Sequence, residues 1–122
     1  MRVGFFAAGL RVVMCGLVVA AGFGVVSAAH AADAPSRGPA IARANACMGC
    51  HAVDRKLVGP SFQQVAEKYK GNAGAAVLLS KKVKEGGSGV WGAIPMPAHP
   101  AMNDADIRTV VDWVLAGAPS SK

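Results

Sequence analysis

The chain has 122 residues, three cysteines and a formal net charge of +6, with 52% hydrophobic and 16% charged residues. This length allows one small domain behind an N-terminal targeting segment, and three cysteines are too few for a disulfide-stabilised scaffold. The basic residues are few and are not interleaved with aromatic side chains, which argues against a nucleic-acid-binding protein.

Residues 1–31 have the pattern of a secretory signal peptide. Arg2 supplies an N-terminal positive charge, residues 12–26 are apolar apart from glycines, and residues 29–31 (Ala-His-Ala) fit a small-x-small cleavage site. The alternative is an uncleaved membrane anchor, but this apolar core is short against the roughly 20 residues of a membrane-spanning helix. We predict cleavage after residue 31, export to the periplasm and a mature domain at residues 32–122.

A first helix is predicted from Gly38 or Pro39 to Ala46, because proline suits the first turn of a helix. It leads directly into the sequence Cys47-Met48-Gly49-Cys50-His51. Cys-x-x-Cys-His is the attachment signature of a c-type haem. Two thiols at this spacing reach the two vinyl groups of one porphyrin, and the histidine that follows lies under the ring, where its imidazole ligates the iron.

Two other chemistries also use closely spaced cysteines. A thiol–disulfide redox pair is expected beside a βαβ pattern, and the sequence shows no strand pattern. A zinc site needs a second pair of ligands, whereas the third cysteine, Cys15, falls in the signal segment. The motif therefore favours one haem c, bound covalently through Cys47 and Cys50, with His51 as an iron ligand.

Three further helices are predicted after the motif. The first covers Ser61 to Tyr69, where apolar residues recur at helical spacing, and the second covers Ala73 to Lys84. The last helix is capped by Asn103 and stopped by Gly117. Its apolar face consists of Ile107, Val110, Val111, Val114 and Leu115. The sequence therefore predicts an all-α fold, with about four helices and loops wrapped around one haem.

The loop before the last helix, at residues 86–102, is rich in glycine and proline and holds one methionine between two prolines. Pro95 and Pro97 restrict the backbone on both sides of Met96 and prevent a helix there. A thioether ligand opposite a histidine gives six-coordinate iron and raises its reduction potential. We therefore predict that Met96 is the sixth iron ligand.

Three other side chains are candidates for the sixth position. Met48 lies inside the attachment turn and cannot reach the other face of the porphyrin. Met102 adjoins the last helix and is interpreted more simply as an apolar core contact. His99 is interpreted as an exposed loop histidine. A vacant sixth position would instead indicate a haem enzyme or a gas-binding sensor, and this alternative remains open.

Four segments of the sequence, at residues 47–51, 58–60, 89–97 and 113–115, resemble those of the small bacterial class I cytochromes c. The similarity spans nearly all of the mature chain and is greatest to the periplasmic type that donates electrons to nitrite reductase. It implies the cytochrome c fold and a monohaem electron carrier of the respiratory chain, without enzymatic activity.

The resemblance also implies roles for individual residues. The Pro60 carbonyl would accept a hydrogen bond from His51, Trp91 would donate its indole N–H to a haem propionate, and Lys82 would lie near a propionate. The docking surface would be an apolar ring around the exposed haem edge, formed by Met48, Leu57, Val58, Ile94, Pro95 and Pro97. His99 stands where the family commonly has an asparagine that bonds near the methionine sulfur.

The expected partners are redox proteins. The donor would be a membrane quinol-oxidising complex, and the acceptor would be nitrite reductase or a terminal oxidase. Removal of Arg2 and Arg11 with the signal lowers the net charge from +6 to +4, and a mildly basic carrier favours acidic partners. Transient carriers use small interfaces, so we expect a monomer that is neither bound to nucleic acid nor inserted in the membrane.

Overall fold

The computed structural model describes residues 34–120, and the predicted signal peptide lies outside the described residues. The described chain forms four α-helices: α1 (Ala34–Ala44), α2 (Phe62–Tyr69), α3 (Ala75–Glu85) and α4 (Asp104–Leu115). A short 3₁₀ turn, Cys47–Gly49, follows α1. Within residues 34–120 the only pairing of strand type is an isolated bridge between Gly87 and Met96. The all-α prediction is confirmed.

The first helix differs from its predicted boundaries. It begins at Ala34, one turn before the predicted start, so that Pro39 lies inside the helix instead of in its first turn. Proline lacks a backbone N–H, and the helix therefore loses one hydrogen bond at this point. The helix ends at Ala44, and Ala46 adopts a left-handed conformation with φ of 57°, which turns the chain into the Cys-x-x-Cys-His motif.

Side-chain caps fix the starts of α2 and α4. The Ser61 hydroxyl accepts a hydrogen bond from the Gln64 backbone N–H at 3.1 Å, and the Gln64 side chain accepts one from the Ser61 N–H at 2.9 Å. This reciprocal capping box satisfies two backbone donors that the helix leaves free. The predicted cap of α4 is confirmed, because the Asn103 side chain accepts from the Asp106 N–H at 2.8 Å.

Helix α4 lies at the centre of the core and contacts α1, α2 and α3. Its predicted apolar face is buried at Ile107, Val110, Val111 and Val114, while Leu115 at the end of the helix is only half-buried. Trp113 is also buried, and its indole N–H donates to the Pro119 carbonyl at 2.9 Å.

The N-terminal helix approaches α4 closely at Gly38. A Cβ atom at this position would overlap the Trp113 side chain, so the glycine allows the α1 backbone to pack directly against the indole ring. None of the helices in the described part of the chain is both long and apolar enough to cross a bilayer.

Candidate haem site

A cavity of about 470 Å³ opens between the attachment motif, α3, α4 and the loop at residues 87–97. Much of its wall is apolar and includes Phe62, Val65, Leu79, Val83, Val110 and Val114. The structure places all seven predicted site residues around this one cavity: Cys47, Cys50, His51, Pro60, Lys82, Trp91 and Met96. A second depression of about 580 Å³, between the ends of α2 and α4, contains none of them.

The attachment motif is a tight turn stabilised by its own backbone. The Cys47 carbonyl accepts hydrogen bonds from the N–H groups of Cys50 at 3.2 Å and His51 at 3.0 Å. Both cysteines are half-buried. Because the turn reverses the chain within five residues, it directs the two thiols and the imidazole to the same cavity.

The surroundings of Cys47 differ from those of a redox-active thiol. Burial raises the pKa of the Cys47 thiol above its ordinary value, and the neighbouring Cys50 raises it further, while a backbone hydrogen bond acts in the opposite direction. Cysteines that attack disulfides have a lowered pKa, because the thiolate is the reactive form. This environment argues against the thiol–disulfide alternative.

The His51 ring is held by three neighbours. Its Nδ1 atom lies 2.7 Å from the Pro60 carbonyl oxygen. Its face stacks on Phe62, with ring centroids 5.3 Å apart and an interplanar angle of 21°, and the Gly59 backbone packs against its edge. Because a carbonyl only accepts hydrogen bonds, the proton is on Nδ1, and the Nε2 lone pair is free to bind a metal.

Gly59→Ala is expected to displace this ring. A Cβ atom at Gly59 would lie 2.8 Å from Nδ1 and 3.0 Å from Nε2 of His51. We expect the variant to lose about 1–3 kcal/mol in free energy of unfolding, measured by urea titration of the holoprotein. Gly49→Ala in the attachment turn is the control, because nothing lies within 4 Å of a Cβ there. Equal losses in the two variants would contradict this account of Gly59.

The backbone of Met96 is fixed against the end of α3. Gly87 and Met96 exchange two backbone hydrogen bonds, of 2.9 and 3.1 Å. Gly86 has φ of +72°, and a Cβ there would lie 2.5 Å from the Met96 carbonyl oxygen and 2.7 Å from the Ala98 nitrogen. The flanking prolines predicted a stiff loop, but this pairing of Met96 with Gly87, just after the end of α3, was not anticipated. The only signal for it in the sequence is the Gly86-Gly87 pair.

The cavity distinguishes between the four candidates for the sixth ligand. Met96 is the one candidate among the four that lines the cavity; Met48, His99 and Met102 do not. Met102 is buried in the core, as expected. His99 is half-buried instead of exposed, and its backbone N–H donates to the Val83 carbonyl at 3.0 Å.

The two remaining predicted residues lie at the mouth of the cavity. Trp91 is 41% exposed, and the Nζ atom of Lys68 lies 5.3 Å from the centroid of its ring. This cation–π contact joins α2 to the loop that carries Met96, and no sequence signal pointed to it. Lys82 is half-buried beside Gly87. The propionate contacts expected of Trp91 and Lys82 remain predictions.

Two thiols, one free imidazole nitrogen and one thioether around an apolar cavity fit a covalently attached haem c. The fold and the site thus define a class, and the chain belongs to the cytochrome c family. The model of that family, described as "Cytochrome c", matches residues 35–118.

Within this family, the chain is similar to several named bacterial cytochromes. The chain is 50% identical over 78 residues to cytochrome c-551 of Azotobacter vinelandii, across 64% of this chain and 94% of the relative. It is 45% identical over 75 residues to cytochrome c-552 of Nitrosomonas europaea, across 62% and 73% of the two chains. The crystal structure of wild-type Nitrosomonas europaea cytochrome c552 superposes with a TM-score of 0.63, at 43% identity, across 65% of this chain and 98% of that one.

Proposed function

We propose that the protein is a monohaem electron carrier that exchanges single electrons with other redox proteins and catalyses no reaction of its own. The observation that carries the proposal is the convergence of Cys47, Cys50, His51 and Met96 on one largely apolar cavity. The relatives named cytochrome c-551 and c-552 support the same role.

The haem, when bound, supplies a reversible one-electron change between Fe(II) and Fe(III). The protein contributes fixed coordination and a dry environment. His51 presents Nε2, while its hydrogen bond to Pro60 holds the ring in one orientation. Met96, which lines the same cavity, would supply its thioether as the other iron ligand, so that small molecules would not bind there. Apolar side chains from α2, α3 and α4 exclude water.

The mouth of the cavity supports docking of an acidic redox partner. Several large apolar side chains of the lining are exposed there: Leu57, Val58, Val90, Trp91 and Ile94. The described lining also includes Lys56 and Lys82 but no carboxylate. Electrostatic steering by such a surface raises the association rate with a negatively charged partner. We propose a periplasmic monomer that takes electrons from a quinol-oxidising complex and passes them to nitrite reductase or a terminal oxidase.

An optical spectrum of the purified holoprotein, oxidised and reduced, with and without carbon monoxide, tests the proposal. We expect a low-spin c-type spectrum with the methionine–iron charge-transfer band and no change with carbon monoxide. A high-spin spectrum, or one that carbon monoxide shifts, would indicate a haem enzyme or gas sensor. An intact mass without haem, with two free thiols, would indicate that Cys47 and Cys50 form a thiol–disulfide redox pair instead.

A further inference from the structure

One lysine links the last turn of α3 to the end of the loop that carries Met96. The Nζ atom of Lys84 donates to the Met102 carbonyl at 2.8 Å and to the Asp104 carboxylate at 3.0 Å. Met102 is only 6% exposed. The lysine therefore connects α3 both to the buried end of the loop and to the first residue of α4.

The last turn of α3 and the residues just after it contact the loop at two further points. Gly87 pairs with Met96, and the Val83 carbonyl accepts from the His99 N–H. The Met102 N–H in turn donates to the His99 carbonyl at 3.1 Å, so His99 and Met102 close one turn. The chain from Met96 to α4 is thus fixed at three places, and the bond from Lys84 is the only one of the three that a side chain makes.

We propose that Lys84 is a positioning residue for the sixth iron ligand. Acting through the Met102 carbonyl, it keeps the loop closed, and the closed loop keeps the Met96 thioether in the cavity. This inference rests on the proposed role of Met96 as a ligand. It concerns how often the bond between Met96 and the iron opens in the folded protein. The proposed role as an electron carrier does not determine this frequency.

The bond to Met102 matters more than the bond to Asp104. A charged donor on a partly buried carbonyl makes a strong hydrogen bond, and its loss leaves the carbonyl without this partner. Asp104 is 91% exposed, and exposed ion pairs contribute little because water and salt screen them. Removal of the ammonium group should therefore loosen the loop, whereas removal of the carboxylate alone should not.

The affinity for added imidazole measures how often the loop opens. It binds the oxidised iron only when Met96 has left, so its apparent affinity is proportional to the fraction of open molecules. For Lys84→Met holoprotein, which keeps the aliphatic stem, we expect imidazole to bind about tenfold to a hundredfold more tightly, in line with the loss of one charge-assisted hydrogen bond.

Two control variants separate positioning from general stability. Lys81→Met removes the exposed Lys81–Glu85 ion pair of 2.7 Å on the same helix, and Asp104→Asn removes the exposed contact of Lys84. Both should bind imidazole with the affinity of the parent. Urea unfolding of each variant is measured in parallel, and Lys84→Gln replaces Lys84→Met if the latter does not accumulate as holoprotein.

The proposal is overturned if the Lys84 variants lose unfolding free energy while their imidazole affinity stays at the parent value, because Lys84 then acts only on global stability. A tighter affinity in Asp104→Asn equal to that in Lys84→Met would also overturn it, since the exposed ion pair would then be the effective contact. If the proposed function itself were wrong, the parent protein would already lack the methionine–iron band, and this observation distinguishes the two failures.

Discussion

Met96→Ala is expected to leave the haem attached, to lower its reduction potential and to open the iron to carbon monoxide. The thioether bonds proposed at Cys47 and Cys50 do not depend on Met96, so attachment should persist. Loss of the thioether ligand removes the effect that raises the potential. Axial ligands set haem potentials over a range of about 0.8 V, so we expect a fall on the order of 0.1 V or more. Redox titration and carbon monoxide difference spectra measure the two effects.

Met102→Leu is the matched control for this variant. Both methionines belong to the same loop region, but Met102 is buried in the core and is not part of the cavity lining. A volume-conserving exchange in the core costs less than about 1.5 kcal/mol and should leave spectrum and potential unchanged. If Met96→Ala kept the parent spectrum and Met102→Leu lost the methionine–iron band, the ligand assignment would be reversed.

Features that depend on local sequence were predictable. The attachment motif is contiguous, so its turn forms from its own backbone hydrogen bonds and needs no distant partner. Helix α4 carries a cap and an apolar stripe within one segment, and both signals act over a few residues. The predicted start of α1 was wrong because a proline does not by itself mark the first turn of a helix. Pro39 removes one backbone hydrogen bond, and this loss does not prevent the helix from beginning one turn earlier.

Two of the contacts that were missed join residues far apart in the sequence. Lys84 reaches Met102 eighteen residues further along the chain, and Lys68 of α2 reaches Trp91 of the loop. Lys84 belongs to a run with Lys81 and Lys82, and such charge runs usually form a solvated helix face. Only the packing of α3 beside the loop shows that Lys84 donates to a partly buried carbonyl. The same packing makes His99 half-buried, although its position in a glycine- and proline-rich loop predicted exposure.

Trp113→Ala is expected to cause the largest loss of stability of any single substitution in the core. Trp113 is 1% exposed, and it meets the Phe62 ring edge-on with centroids 5.0 Å apart. Phe62 in turn stacks on His51. Truncation of a buried tryptophan costs about 3–5 kcal/mol, a large part of the roughly 5–15 kcal/mol that stabilises a small domain.

The other tryptophan of the chain provides the control, because it is large and aromatic but exposed. Trp91→Ala removes a side chain that is 41% exposed at the cavity mouth, so its loss of unfolding free energy should be well below that of Trp113→Ala. Guanidinium unfolding of both holoproteins, followed by far-UV circular dichroism and by the Soret band, makes the comparison. Because the contacts run from Trp113 through Phe62 to His51, the proposed iron ligand, the Soret band of Trp113→Ala should change at lower denaturant than that of the parent. A Soret midpoint of Trp113→Ala equal to that of the parent holoprotein would show that the indole in the core does not support the haem site.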